Sequence, residues 1–586
     1  MKSILKSTVY LLFLLIAVQV FNACVEDVDL SKFTPKDPEM SFESGTVNVV
    51  KRDSTYKLLL TANLPWRVQS NIEWITFEKQ NGLATDTVYV KVAKNNSLES
   101  RSGKITAWIT DEYKKELIVI QEAGDPLPDI SVRYYVKTDG NAIADGLSWA
   151  NATTLDNAMA LALSGDSIFI AAGTYTPNVK LNGGTNAQDI TFAIYNNITL
   201  IGGYPVNAVE GTIADPIANL TILSGTNGDT KAAHTVVIAA PIESGRKVTL
   251  SGLIIRDGEA MGASTGSVSV NGATFVRNYG GGLIIGKSVV EIKDCDITDN
   301  HTLAAAAGIY IFSAAHVAFN RCKIRNNSTL NTSSNGGGLW NAGSMVYLYD
   351  SEVSNNTSTG VGAGIYSLDA NVTGTTYVIR CTITGNKTTG AAASGYYGRE
   401  NSVAYFINST ISGNESSSHG AGMQLYGAAG KIATLYLISS TITGNIAVGN
   451  GGGLNVYNTN TAINIYNSII SGNSAASGND YNGSTEVLQM KYSIISEIVY
   501  DQNGIAVPGN TFDPVLHLGT LTANGGFTRT HALIGDNNPA VTLGMPLLNL
   551  QILGENFDPV IPDEIILFDQ TGKSREGKPS IGAVVK

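Results

Sequence analysis

The chain has 586 residues and a net charge of −11, from 38 Lys and Arg against 49 Asp and Glu, which disfavours nucleic acid as a partner because binding it takes a basic excess that releases counterions. Hydrophobic residues make up 43% of the chain and charged residues 15%, a balance that excludes disorder and can fill a long core. The 62 glycines follow no collagen period and point to many tight turns between short strands, hence to an elongated all-β protein.

At the N-terminus, Lys2 and Lys6 precede an apolar run from Val9 to Val18 that is too short to span a bilayer and suits a signal-peptide core over residues 1–23. The run closes on "FNAC", and Cys24 followed by "VEDVD" resembles the lipobox and export signal of bacterial surface lipoproteins, particularly those of the Bacteroidetes. The resemblance implies lipidation of Cys24, a linker over 24–37, and a protein lipid-anchored at the outer membrane and displayed on the cell surface.

Residues 38–124 alternate apolar and polar side chains in "TVNVV", "YKLLL", "TVYVKV", "KITAWIT" and "ELIVIQ", the pattern of half-buried strands, and no helix of useful length fits. "PWRV" at 65–68, "WITF" at 74–77 and the closing "IVIQEAG" resemble the BACON family of immunoglobulin-like β-sandwich modules, which often precede carbohydrate-active or carbohydrate-binding domains. Trp66 and Trp74 are assigned to its core. "GDPLPD" then makes residues 125–133 a stiff linker.

From 134 the sequence opens with "YYVKTDG" and an amphipathic stretch in which Leu155, Met159 and Leu163 share a helical face, fit to plug the end of a larger structure. This entry resembles that of a right-handed parallel β-helix, of the kind found in surface adhesins and polysaccharide lyases. The internal repeat carries the argument. An aliphatic residue recurs at Ile255, Ile297, Ile324, Val353, Ile383, Ile411, Ile442, Ile470 and Ile495; Asn follows three residues later from Asn300 to Asn473; and a small residue stands two before, at Cys295, Cys322, Ser351, Cys381, Ser409, Ser440 and Ser468. Period-two geometry puts the small and aliphatic columns inside and gives the Asn column a turn where stacked amides bond from coil to coil. The cysteines then read as buried thiols rather than disulfides. The solenoid is assigned to 134–512. Residues 513–586, with "NGGFTRTHAL" and "DQTGKSR", resemble the C-terminal region of β-helix proteins called choice-of-anchor Q and are expected to cap the last coil.

Two places carry candidate chemistry. Asp294, Arg321, Asp350 and Arg380 stand three residues before the aliphatic column, and Asp296, Lys323 and Glu352 one before. A lyase acting on a polyuronate would use such carboxylates to hold Ca²⁺ and a Lys or Arg as base, which makes Lys323, Asp294 and Asp350 the catalytic candidates; the alternation of sign favours an exposed ladder of ion pairs instead. The six histidines are scattered and suggest no metal site, so no cofactor is expected unless the lyase reading holds. The second place is a stripe of aromatics after the Gly/Ala tracts: Tyr310, Trp340, Tyr366 and Tyr397, with Tyr426 and Tyr457 two positions further along their strands. Parity turns them outward as a platform for sugar rings, or under a long loop such as 261–279. The sequence thus supports a surface lipoprotein that binds a polysaccharide or another surface partner along a β-helix face, with a lyase or a protein-binding spacer as alternatives.

Overall fold

The computed structural model describes residues 36–586 except 96–98, 124–130, 262–265, 371, 497, 512–516, 536–537 and 578–579; the signal segment, Cys24 and most of the linker lie outside them. Two compact units result, dividing at Asp129 and Ile130.

In the first unit, alternation builds a sandwich. One sheet orders its strands Met40–Phe42, Ser54–Ala62, Asp86–Val92 and Ile75–Phe77; the other runs Thr46–Val49, Lys114–Gln121, Arg101–Trp108, Trp66–Ser70 and Asn81–Gly82. The inward residues, among them Leu60, Trp66, Val88, Val90, Ile105 and Leu117, form one core. Trp66 is buried as expected, and its indole N–H donates to the Ala84 carbonyl at 2.7 Å, which makes burial of that polar atom tolerable. Trp74 is only half buried.

The second unit is a right-handed parallel β-helix. Its first sheet stacks twelve strands from Arg133–Val136 to Leu488–Lys491, its second eleven parallel strands from Gly173–Tyr175 to Ser493–Ile495, and its third ten from Phe192–Ile194 to Tyr481–Asn482, counted among the described residues. Helix Leu155–Leu161 closes the N-terminal end through Leu155, Ala158 and Met159; Leu163 lies beyond the helix and is 68% exposed, so Ala158 and Ala162 take the inward place assigned to it. Each aliphatic-column residue from Ile255 to Ile470 is fully buried. Burying such a side chain contributes about 1.5–3 kcal/mol per coil.

Polar columns hold the coils in register. Asn300, Asn327, Asn356, Asn386, Asn414, Asn445 and Asn473 are buried, and each side-chain amide donates to the Oδ1 of the next at 2.8–3.0 Å until Asn473 donates to the Asp480 carboxylate at 2.8 Å. The aligned amides turn their N–H ends toward that carboxylate, so the ladder ends on an acceptor that complements it. Beside it, backbone N–H groups donate to the Sγ or Oγ of the following coil, from Cys322 to Ser351 at 3.0 Å and from Ser351 to Cys381 at 3.4 Å. Cys295, Cys322 and Cys381 are free and buried, and burial pushes the Cys322 and Cys381 thiols up to about 12.

The C-terminal region reaches more coils than the last one. The second sheet is extended beyond its last parallel strand by antiparallel strands Ile498–Tyr500 and Ala506–Thr511, and the described residues of 517–586 pack on coils from that of Glu352 to the last, where Leu533, Ala540 and Ile581 meet Ile469 and Ile494. Arg529 pairs with Glu352 at 2.7 Å, Gln570 donates to the Cys381 carbonyl at 2.9 Å, Arg575 donates to Asn408 Oδ1 at 3.0 Å, and Asn467 donates to the Ser580 carbonyl at 3.0 Å. This clamp has no repeat of its own, so it follows whatever acceptors the coils present. Thr382 shows the consequence: it faces outward by parity yet is fully buried, accepting a hydrogen bond from Gln570 at 3.0 Å, and Thr384 on the same side is only 7% exposed.

Candidate functional site

The charged candidates sit where the chain turns from the first sheet into the second. That corner is a single residue in the left-handed region, with φ of 51° at Asp294, 52° at Arg321, 48° at Asp350 and 54° at Arg380. Such φ values cost L-residues energy, and ion pairs between neighbouring coils offset it. Arg321 grips Asp294 with two bonds of 2.7 Å, and Arg380 grips Asp350 with two of 2.8 Å. In the next column Asp296 pairs with Arg325 at 2.7 Å and Glu352 with the clamp's Arg529, which leaves Lys323 exposed and outside the expected alternation. Both carboxylates are therefore neutralised by guanidinium, and among the described residues no acidic pair stands open beside Lys323. From Asn408 onward the corner carries amide or hydroxyl side chains instead, and Asn408 and Asn467 anchor the clamp.

The aromatic stripe has the expected spacing but not the expected exposure. Ring centroids are 5.6 Å apart from Tyr310 to Trp340, 4.8 Å from Trp340 to Tyr366 and 5.3 Å from Tyr366 to Tyr397, close to the coil rise. Hairpin Ser267–Val270/Ala273–Val276 packs on its first half, with Phe275 edge-on to Phe312 at 5.4 Å, and Tyr310 and Trp340 join that cluster half buried. Tyr366 and Tyr397 are 2% and 7% exposed, each covered by its neighbours. A wide platform over these four rings is thus excluded; Tyr426 is half buried and Tyr457, 60% exposed, is the open end of the stripe.

The hairpin is tied down by a buried ion pair. Arg277 binds Asp189 through two bonds of 2.6 and 2.9 Å, and His234 packs nearby with Nδ1 3.0 Å from the Gly280 carbonyl. Burial opposes ionisation of Asp189, but the Arg277 guanidinium and backbone N–H groups hold its carboxyl below the usual range; burial lowers His234 to about 4, so it is neutral.

A groove of about 540 Å³ opens in the sandwich, lined by Asp53, Thr55, Glu73, Trp74, Thr76 and Lys91. Strand register builds it: Thr55 and Thr76 both lie opposite Lys91, whose ammonium pairs with Glu78 at 3.3 Å. The Arg101 guanidinium lies over Trp74 at 4.4 Å and donates to the Ala93 and Lys94 carbonyls at 2.7 and 2.9 Å and to Gln121 at 2.7 Å. Trp74 packs against the sandwich core from its edge, half buried, and its remaining surface forms the groove wall, whereas the sequence assigned it wholly to the core. The signal in the sequence was its place just before a strand, which frees it from the alternation that buries Trp66.

The sequence has two matches to family models. Residues 64–122 match BACON, "Putative binding domain, N-terminal", and residues 241–403 match "Right handed beta helix region", so the chain carries a BACON domain followed by a right-handed β-helix. No curated protein matches it. Among solved structures, pectate lyase Pel9A is 14% identical with a TM-score of 0.38, the match covering 69% of this chain and 92% of the lyase. A Bacteroides ovatus GH5 xyloglucanase in complex with a XXXG heptasaccharide is 16% identical with a TM-score of 0.14; the match covers 29% of this chain and 37% of the xyloglucanase.

Proposed function

We propose that this chain is a surface lipoprotein, anchored in the outer membrane through lipidated Cys24, that binds a polysaccharide without cleaving it. The observation that carries this reading is the groove beside Trp74. An indole held in place by a pinned guanidinium supplies an apolar wall for a sugar ring, and Asp53, Glu73, Thr55, Thr76 and Lys91 supply acceptors and donors for hydroxyls around it. The match of 64–122 to a binding-domain family supports placing recognition there. Against a lyase, the carboxylates that would hold Ca²⁺, Asp294 and Asp350, are each closed by a bidentate arginine.

Retardation of the intact protein in native gels containing soluble polysaccharides tests this. Trp74→Ala should weaken binding at least tenfold while Trp108→Phe does not. Retention unchanged by Trp74→Ala removes the groove from the reading, and release of unsaturated, ultraviolet-absorbing ends from a polyuronate replaces the binder with a lyase.

A further inference from the structure

The first sheet carries a second aromatic column. Tyr347, Tyr377, Tyr405 and Tyr436 lie in register on successive coils with centroids 4.6, 4.7 and 4.8 Å apart and planes within 9° of parallel. At its C-terminal end the clamp covers it, Phe557 standing edge-on to Tyr405 and Tyr436 at 5.7 and 5.1 Å. At its N-terminal end the column stops. The residue in register before Tyr347 is Ala318, and the one before that is Glu291.

A ladder missing one ring leaves a slot. Two coil steps separate the Glu291 and Tyr347 positions, about 9.6 Å, and one ring in contact with both walls needs about 7–8 Å. The floor is the Ala318 methyl, which stays half exposed between larger neighbours. Tyr347 forms one wall, widened by Tyr349, whose ring lies parallel to it within 2° at 6.0 Å. The opposite wall is the Glu291 carboxylate, fixed by Lys247 at 2.5 Å and Lys293 at 2.9 Å. At the two sides stand exposed His316 and half-buried Asn320, on the coil of Ala318 and facing the same way.

We infer that this slot binds the pyranose ring of a glycan, the ring taking the place of the missing aromatic rung. One face of the sugar stacks on Tyr347 and Tyr349, while Glu291, His316 and Asn320 exchange hydrogen bonds with hydroxyls at its edge. An aromatic occupant would meet a carboxylate, not a ring, on the far wall, so the wall chemistry selects a hydroxylated one. The slot shares the class of ligand assigned to the Trp74 groove but not its location, so either stands without the other.

The test uses the full chain carrying Trp74→Ala, with cellohexaose and hexagalacturonate as neutral and acidic probes, read by calorimetry and saturation-transfer NMR. At least one should bind, with ring protons saturated. Ala318→Tyr, which fills the slot and completes the ladder, should weaken that binding at least tenfold with an equal or higher Tm. Tyr347→Ala should also weaken it tenfold, and Tyr347→Phe less than twofold; this pair decides the question if Ala318→Tyr does not fold. The inference is overturned if neither oligosaccharide binds, or if both Ala318→Tyr and Tyr347→Ala bind as the parent does. Loss of all binding on Trp74→Ala alone places recognition in the groove and leaves the slot without a ligand.

Discussion

Two aromatic ladders climb the same solenoid, and different segments cover them. The third-sheet stripe from Tyr310 to Tyr397 is half covered by hairpin Ser267–Val270/Ala273–Val276, inserted within the repeat itself. The first-sheet column from Tyr347 to Tyr436 is covered by Met545, Leu550, Phe557, Ile561 and Ile566, which arrive from far along the chain. Both ladders point outward by parity, and both are largely removed from water. Parity in a β-helix therefore fixes direction but not exposure; exposure belongs to whichever non-repeating segment lands on the face.

Each cover can be removed without touching the other. Phe275→Ala should destabilise the solenoid by about 3–5 kcal/mol and speed hydrogen exchange at 309–312 and 339–342, while leaving exchange at 377 and 405 unchanged. Matching changes in both ladders would mean that the two covers act as one.

The tie beneath the hairpin should show in a pH titration. His234 is buried and neutral with its pKa lowered to about 4, against about 6.5 when unfolded, so between those values the unfolded chain binds a proton that the folded chain refuses. Stability should then fall as pH drops from 6.5 toward 4, by about 3 kcal/mol in all. His234→Gln should flatten that part of the curve of Tm against pH. Asp189, held below the usual range, acts in a lower window, its contribution present above about pH 4 and lost below it.

The clamp should give a smaller effect. Arg575 is buried, with donors on Asn408 Oδ1 and the Ser580 and Gly582 carbonyls, and burial lowers it to about 10. Arg575→Ala should cost about 2 kcal/mol and raise hydrogen exchange in the clamp and at 405 and 436, with the third-sheet stripe unaffected. The smallest change is expected at the corner. Asp294→Asn breaks a partly exposed pair and should cost under about 1 kcal/mol, lessened by salt, with no activity lost; a larger loss would mark a role beyond the ladder.

Much of the solenoid is legible in its sequence. Ile383 and Asn386 recur with their column mates at a spacing that only stacked coils satisfy, and both are buried where that reasoning put them. The opposite charges of Asp294 and Arg321 foretold their pairing, though the escape of Lys323 did not follow, because Arg325 reaches diagonally to Asp296 and Arg529 comes from outside the repeat. The Tyr347 column was legible too, since tyrosine stands six residues before Val353, Ile383, Ile411 and Ile442, yet Ala318 and Glu291 at the same offset hid it.

The local and periodic part is written in the chain: strand alternation, which side chains point inward, and the polar columns that keep coils in register. These follow from interactions between residues at fixed offsets, repeated until the pattern outweighs any single exception. Which outward faces meet water depends on long-range packing. The hairpin, the clamp and the Arg101 contact that pins Trp74 are single, non-repeating encounters, stabilised by contacts between residues whose distance along the chain leaves no mark in its period.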